Sequence, residues 1–346
     1  MPERVLISGG TGYIAGHTIV QLLDAGYHVT ATVRDTQQTA ALAYLRALPG
    51  ADERLDLVKA NLLGNDPFTE FAASADYVLH MASPFIVTVK DPQRDLVEPA
   101  VLGTRAMLEA CAASSTVKRV VVTSSMAAVT DEPDGAYTLT ESDWNETSSL
   151  TRNPYYYSKV AAERAAWEFV ANRSPAWSLI AINPFMVFGP SLSPRINESP
   201  RVLVDILTGR MPAIVPLTWG IVDVRDVAAA HVRALTVDAA NGRYICAADL
   251  RTMREVVTLL RNNGFANAKL PSLSLESPLG MKFAGLLANF QPKGVRSYLK
   301  THLGHTPAFD NGKLRRDFDF EFRDVDATII DTALDLARWG HVPQPR

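Results

Sequence analysis

Cysteine is scarce in this sequence and occurs at two of 346 positions, Cys111 and Cys246. Two thiols this far apart exclude a disulfide-rich scaffold and have no metal-ligand spacing, so we expect both to be buried and reduced and no metal to be bound. Long apolar runs are also missing, and none approaches the ~20 residues of a membrane helix. The chain has no basic block and a net charge of −3, which gives no reason to expect a nucleic-acid or membrane partner.

The first residues, MPER, lead directly into an apolar strand. They resemble neither a secretory signal nor a transit peptide, so we expect a cytoplasmic protein. Hydrophobic residues make up 47% of the chain and charged residues 21%, which is ordinary for a globular protein. The length suits a large α/β domain with an appended lobe.

Short apolar strands alternate with helical segments through the first two-thirds of the chain. Apolar, β-branched runs predict strands at 4–8, 28–33, 55–59, 77–81, 119–123, 178–183 and 243–246. Helical periodicity predicts helices at 14–25, 40–48, 92–113, 155–172 and 227–236. This rhythm predicts an α/β fold in which a doubly wound, mostly parallel sheet is covered by helices on both faces.

A glycine-rich turn, SGGTGYIAG at residues 8–16, joins the first predicted strand to the first helix. Glycine allows a tight turn and a close backbone approach to a pyrophosphate, and the helix N-terminus adds partial positive charge. The position of the turn, between strand and helix, predicts a Rossmann-type dinucleotide site. The residues that we expect to contact the cofactor here are Gly9, Thr11, Gly12, Tyr13 and Ile14.

Prolines recur after residue 184, and periodicity weakens there. We therefore predict a cofactor-binding domain formed by residues 1–183 and 221–247. Residues 184–220 and 248–346 are predicted to form a smaller, mostly C-terminal substrate lobe over the carboxyl edge of the sheet.

The second predicted strand ends in Arg34, followed by Asp35. An acidic side chain at this place binds the ribose 2′-hydroxyl of NAD, whereas a guanidinium pairs with a 2′-phosphate. Arg34 therefore favours NADP(H), and Asp35 is the competing signal for NAD.

Tyr155 and Lys159 lie four residues apart and share one face of a predicted helix. Asn153 is expected to be the N-cap of this helix, and Pro154 suits the first helical position. Carbonyl reduction leaves an alkoxide that needs a proton, and a nearby ammonium is expected to lower the pKa of the tyrosine that supplies it. Ser124 and Ser125, after the fifth strand, are candidates to bind the same oxygen.

These motifs resemble the extended short-chain dehydrogenase/reductase superfamily, whose signatures are T-G-x-x-G-x-x-G, T-S-S and Y-x-x-x-K. The resemblance implies that Ser125, Tyr155 and Lys159 are catalytic and that Lys159 also holds the nicotinamide ribose. Two departures stand out: Ala15 replaces the third glycine, and Ala100 stands where an asparagine on the long helix is frequent.

Four segments are similar to the branch of dihydroflavonol and cinnamoyl-CoA reductases, which use NADPH: 31–35 (ATVRD), 59–62 (KANL), 80–84 (HMASP) and 183–190 (NPFMVFGP). The resemblance implies cofactor contacts by Asn61, Leu62, Met81, Ala82, Ser83, Pro184, Val187 and Ser199. Apolar residues expected to line a substrate pocket are Phe85, Phe185, Met186 and Trp219.

The function predicted from these residues is NADPH-dependent reduction of a ketone or aldehyde to an alcohol, with Tyr155 as the proton donor. The substrate is expected to be a small, apolar or aromatic carbonyl compound, and the protein a monomer or homodimer. Two alternatives stay open on the same fold. One is a nucleotide-sugar epimerase or hydroxysteroid dehydrogenase/isomerase, and the other is a non-enzymatic NADP-sensing regulator.

Overall fold

The computed structural model describes residues 2–61, 63–64, 68–82 and 89–346 of the chain. Its strands are β1 Arg4–Ser8, β2 His28–Val33, β3 Leu55–Lys59, β4 Tyr77–His80, β5 Arg119–Thr123, β6 Thr138–Leu139, β7 Ser178–Pro184, β8 Met186–Phe188, β9 Ala213–Ile214, β10 Thr218–Asp223, β11 Gly242–Cys246, β12 Asp249–Thr252, β13 Leu273–Ser274 and β14 Ala308–Phe309.

The α-helices are α1 Tyr13–Asp24, α2 Thr39–Arg46, α3 Ala51–Arg54, α4 Phe68–Ala72, α5 Glu98–Ala112, α6 Pro154–Arg173, α7 Glu198–Leu207, α8 Val224–Thr236, α9 Met253–Leu260, α10 Pro278–Ala288, α11 Lys293–His302, α12 Gly312–Phe318 and α13 Val325–Arg338. Short π-helical turns, Gln93–Val97 and Arg261–Phe265, adjoin α5 and α9, and a 3₁₀ turn, Met126–Ala128, follows β5. Within the described residues, no helix is both long and apolar enough to cross a membrane.

Among the described residues, seven parallel strands form the main sheet, in the order β11-β7-β5-β4-β1-β2-β3. The chain builds outward from β1 to β3 and then returns to continue from β4 in the other direction. The order therefore reverses between β1 and β4, and ligands of such sheets bind at the carboxyl ends of the strands at this point. This confirms the predicted doubly wound α/β fold.

Helices cover both faces of this sheet. On one face, α1 and α8 pack together over a core that includes Ile19 and Val227, and on the other α4, α5 and α6 cover a core that includes Met107 and Ala166. Apolar side chains therefore point to both faces of the central strands, which explains why three consecutive residues of β5, Val120–Val122, are apolar.

A second core lies around a small sheet of order β12-β10-β8. It is built by α7, α9 and α13 and contains Phe188, Leu203, Val257 and Ile329, all fully buried. Residues of the C-terminal region also reach the main sheet, because Leu314 and Phe318 of α12 belong to the core beneath α8. The predicted division into two domains stays a prediction.

At the majority of their ends, the predicted strands and helices agree with the structure to within about three residues. One predicted helix is not uniform: residues 92–113 begin with the π turn Gln93–Val97 before α5 starts at Glu98. Pro99 at the second position of α5 has no N–H to donate, which marks the place where regular α-helical bonding begins.

Candidate active site

The glycine-rich turn lies between β1 and α1, at the reversal of strand order. Gly9 has φ +75°, and a Cβ there would lie 3.0 Å from the Cα of Ala82, so the turn packs directly on the end of β4. Gly12 is the N-cap of α1, with no side-chain cap and no acidic residue in the first turn. An uncapped helix N-terminus beside a glycine turn fits the pyrophosphate of a dinucleotide.

Ser8 ties the turn to β4. Its hydroxyl oxygen accepts the backbone N–H groups of Met81 and Ala82, each at 3.0 Å. Because these donors occupy both lone pairs, the Ser8 O–H donates to Nδ1 of His80, 2.9 Å away. His80 Nε2 then carries the hydrogen toward Thr104 Oγ1 at 3.4 Å. Burial, together with the charge of Lys159, lowers the pKa of His80 to about 4, so the ring is neutral near pH 7.

Arg34 lies just after β2 with its side chain exposed. The Asp35 carboxylate accepts the backbone N–H of Gln37 at 2.9 Å and therefore takes part in a local turn. Asn61, after β3, likewise accepts the N–H of Leu63 at 3.2 Å. The guanidinium of Arg34 is thus exposed to solvent, while one carboxylate oxygen of Asp35 accepts a backbone hydrogen bond.

The remaining residues expected to contact the cofactor lie in several different elements. Thr11 and Ile14 flank the N-terminus of α1, and Tyr13 donates to the carbonyl of Gly189 at 2.5 Å, which ties α1 to the segment after β8. Pro184 ends β7, Val187 is buried in β8, and Ser199 lies in the first turn of α7. Leu62, Ser83 and Phe85, also expected at the site, lie outside the described residues.

Ser125, Tyr155 and Lys159 come together above the end of β5. Tyr155 lies in the first turn of α6 and Lys159 one turn later, and the Lys159 Nζ is 5.5 Å from the centre of the Tyr155 ring. The side chains of Ser125 and Tyr155 form a hydrogen bond. A serine, a tyrosine and a lysine from two distant segments therefore form one cluster at the cofactor edge of the sheet.

The pKa of Tyr155 differs from the sequence expectation. Burial raises it, and the hydrogen bond with Ser125 opposes that effect. Desolvation lowers the pKa of the neighbouring Lys159 to about 8, so its ammonium is still present near neutral pH. The net shift of the Tyr155 pKa is therefore upward, and the phenol is protonated near neutral pH. Stabilisation of the phenolate by Lys159 stays a prediction.

Ser124 is engaged elsewhere. Its hydroxyl donates to Oε2 of Glu163 at 2.5 Å, inside the protein. This leaves Ser125, whose side chain bonds Tyr155, as the serine of the pair that faces the tyrosine. Strand alternation explains the difference, since adjacent side chains at the end of β5 point to opposite sides.

The N-terminus of α6 is held by α11. Asn153 occupies the N-cap with φ 47°, but its side chain does not cap the helix. Instead its Nδ2 donates to Asp131 Oδ2 at 3.1 Å and to Thr301 Oγ1 at 3.0 Å, and its backbone N–H donates to Ser297 Oγ at 2.8 Å. The predicted N-cap position of Asn153 is confirmed, and its left-handed backbone geometry directs its amide to the neighbouring segments.

The expected pocket residues have different surroundings. Phe185 packs 6.1 Å from the Phe309 ring and against Gly220, where a Cβ would collide with it. Met186 is half-buried against the second core. Trp219 is only 3% exposed and lies within that core, where its side chain bonds Tyr298. The pocket that these residues were expected to form stays a prediction.

The sequence interpretation missed several groups that support the site, namely His80, Thr104, Glu163, Asn183 and Arg243. Glu163 could have been found, because it lies four residues after Lys159 and eight after Tyr155 on the same helix face. Lys159, Glu163, His80 and Ser124 line one cavity of about 20 Å³, large enough for one water molecule.

Comparison with known proteins agrees with this geometry. Residues 5–247 match the NAD dependent epimerase/dehydratase family. A cinnamoyl-CoA reductase of Medicago truncatula is 40% identical over 265 residues, covering 74% of this chain and 79% of the relative. A ketoreductase of Aspergillus niger is 31% identical over 357 residues, covering 97% and 98%.

Among solved structures, the yeast methylglyoxal/isovaleraldehyde reductase Gre2 complexed with NADPH has a TM-score of 0.78 at 30% identity. The match covers 98% of this chain and 100% of that one. The predicted resemblance to the extended reductases is confirmed, and the chain belongs to the NAD dependent epimerase/dehydratase family.

Proposed function

We propose that this protein reduces the carbonyl group of a small, apolar or aromatic ketone or aldehyde to an alcohol, with Tyr155 as the proton donor. It is an NADP-dependent oxidoreductase that acts on carbonyl groups. The observation that carries the proposal is the hydrogen bond between Ser125 and Tyr155 beside the buried Lys159. That cluster lies at the carboxyl edge of the sheet, where the fold binds dinucleotides.

The residues of this chain fit NADPH. Gly9, Gly12 and the first turn of α1 would hold the pyrophosphate, Arg34 the 2′-phosphate, and Lys159 the ribose hydroxyls next to the nicotinamide. When bound, the cofactor supplies a hydride to the carbonyl carbon. The guanidinium of Arg34 is exposed, and Asp35 already accepts a backbone hydrogen bond, which supports NADPH rather than NADH as the cofactor.

Side chains of the protein bind the carbonyl oxygen and protonate it. The hydroxyl groups of Ser125 and Tyr155 donate hydrogen bonds to the carbonyl oxygen as negative charge develops on it. When the carbon–hydride bond forms, the C=O π pair moves to oxygen, and that oxygen takes the Tyr155 proton. The raised pKa of Tyr155 keeps the proton in place until then, and the transfer is downhill because an alkoxide is a stronger base than a phenolate. Lys159 stabilises the phenolate that remains.

Several earlier predictions belong with this proposal and have their support in the sequence. We propose that residues 1–183 and 221–247 bind the cofactor, whereas 184–220 and 248–346 bind the substrate. A cytoplasmic location and a monomeric or homodimeric state stay predictions. The relatives include reductases of cinnamoyl-CoA, of methylglyoxal and of isovaleraldehyde, which supports a screen over carbonyl compounds of different size.

The proposal is tested by NADPH oxidation with aryl ketones, β-ketoesters, aldehydes and flavonoid ketones, followed by Tyr155→Phe with the best substrate. This substitution removes one hydroxyl, so kcat should fall by at least ~10²-fold while NADPH still binds. Tyr157→Phe, two residues along the same helix, is the matched control and should keep its activity. A Tyr155→Phe variant with nearly full kcat would contradict the assignment.

A further inference from the structure

A buried carboxylate lies behind the catalytic cluster. Glu163 is 3% exposed and shares a helix face with Tyr155 and Lys159. Four side-chain donors converge on it, and they come from four different segments of the chain. The donors are Ser124 Oγ at 2.5 Å, Asn183 Nδ2 at 2.8 Å, Arg243 Nε at 2.6 Å and Trp167 Nε1 at 3.2 Å.

Two of these donors, Ser124 and Asn183, belong to or contact the loop that carries Ser125. Ser124, the preceding residue, is held directly by Glu163. Asn183 uses the same amide nitrogen to bond Glu163 and the backbone carbonyl of Ser125, the latter at 3.1 Å. The position of Ser125 is therefore held on both sides, by its neighbour's side chain and by its own carbonyl.

Arg243 forms hydrogen bonds with the chain that continues beyond Ser125, as far as Asp143. Arg243 is 6% exposed, and its guanidinium donates to the carbonyls of Ala128, Glu141 and Asp143. The group also stacks on the Trp144 ring, 3.9 Å from its centre. Because each charge is buried with several partners, neither side chain can turn away without leaving unpaired groups.

We infer that Glu163 and Arg243 form a positioning pair that holds the loop after β5 so that the Ser125 hydroxyl meets Tyr155. Neither is a catalytic residue, because both act through Ser124, Asn183 and the loop backbone. The inference rests on the proposed function, since it assumes that Ser125 takes part in the reaction. A small displacement of an oriented group is costly, and 1 Å can reduce turnover by about 10²-fold.

The test is a double-mutant cycle between Glu163→Gln and Ser125→Ala, read as kcat at saturating NADPH. Glutamine keeps the shape but replaces one acceptor oxygen with a donor that faces Arg243 or Ser124. We expect Glu163→Gln to lower kcat by about 10- to 100-fold in the wild-type background, with the KM for NADPH unchanged. In the Ser125→Ala background it should lower kcat by less than about threefold, because the group that it positions is already gone.

A merely structural role would lower kcat by the same factor in both backgrounds, and that result would overturn the inference, as would no effect in either. If Ser125→Ala alone keeps full activity, the role of Ser125 in the proposed function fails, and the positioning pair fails with it. The two failures are therefore distinguishable from the single variant.

Two further variants keep the test decisive. Glu168 lies on the same helix, is exposed and pairs with Arg105 at 3.8 Å, so Glu168→Gln should change kcat in neither background.

If Glu163→Gln does not fold, Ser124→Ala removes one donor and leaves the Glu163–Arg243 pair intact. It should give a smaller loss than Ser125→Ala, and that loss should vanish when the two are combined. An additive loss would contradict the inference.

Discussion

At the scale of single residues, the site depends on which of two similar neighbours takes which role. Ser124 points inward to a buried carboxylate, whereas Ser125 bonds Tyr155. Arg34 is exposed, whereas Asp35 bonds the backbone of its own turn. In both pairs the sequence presents two candidates, and hydrogen bonding in the fold engages one of them elsewhere.

Cofactor choice is testable at Arg34. A charge-assisted contact to the 2′-phosphate contributes roughly 1.5–3 kcal/mol, so Arg34→Ala should raise the KM for NADPH by about ten- to a hundredfold. The KM for NADH should change little, because NADH lacks that phosphate. Steady-state kinetics with both cofactors check this, and Asp35→Asn is the companion variant. A wild-type preference for NADH that Asp35→Asn abolishes would show that Asp35 binds the 2′-hydroxyl of the adenosine ribose.

The pH dependence of the reaction should report Lys159. Its pKa is lowered to about 8 by burial, and its titratable neighbours are Tyr155, neutral in this range, His80, whose pKa is about 4, and Glu163 in the same cavity. The ammonium is therefore present below pH 8 and lost as the pH rises through it. For the free enzyme, kcat/KM for NADPH should fall about tenfold per pH unit above that point.

Lys159→Arg is the control for this profile, because a guanidinium stays charged throughout the range. The variant is expected to be slower, but its descending limb should move out of the measured range. An unchanged limb near pH 8 in Lys159→Arg would assign the titration to another group.

At the scale of secondary structure, α6, the helix that carries Tyr155 and Lys159, is held by contacts with a distant helix. The first turn of α6 is attached to α11 through Asn153, and the Tyr156 hydroxyl lies 3.2 Å from His302 of α11. The two helices are more than a hundred residues apart in the chain. The position of Tyr155 thus depends on the C-terminal region as well as on the strands that precede it.

Asn153 should therefore affect both stability and turnover. Asn153→Ala removes two side-chain hydrogen bonds and places alanine at φ 47°, which should cost about 2–4 kcal/mol. Asn153→Gly accommodates that φ and loses only the bonds, so it should cost about 1–2 kcal/mol. Urea denaturation measures both, and kcat should fall in the same order. Equal losses for the two variants would show that backbone strain contributes nothing.

At the scale of the whole molecule, two of the hydrophobic cores share one active-site edge. One lies between the parallel sheet and helices α1 and α8, and the other is the second core, around β12-β10-β8. They are joined near the glycine turn, where Tyr13 and His17 of α1 bond the carbonyls of Gly189 and Pro190, at 2.5 and 2.9 Å. A ligand that binds at the turn therefore contacts a part of the molecule that both cores support.

We accordingly expect NADPH to stabilise the protein as a whole. At a hundred times its dissociation constant, a ligand that binds only the folded state adds about 2.7 kcal/mol, or about 4 °C in Tm for a chain of this length. Differential scanning calorimetry with NADPH and with NADH at equal concentration measures the effect. A larger shift with NADH than with NADPH would contradict the proposed cofactor.

The sequence by itself determined the fold class, the strands of the main sheet and the family. Those features depend on local patterns, namely apolar β-branched runs, a glycine turn at residue 9 and a tyrosine–lysine pair at helical spacing, which need no knowledge of distant contacts. The same patterns brought Ser125, Tyr155 and Lys159 to one predicted site, and the structure places them together.

Only the tertiary structure decided the state of those residues and what holds them. The direction of the Tyr155 pKa shift depends on burial, which sequence spacing does not measure. The Glu163–Arg243 pair and the contact of Asn153 with Thr301 join residues 80 and 148 positions apart. Such contacts follow from how the sheet and the C-terminal helices pack, because a hydrogen bond depends on distance in space and not on separation along the chain.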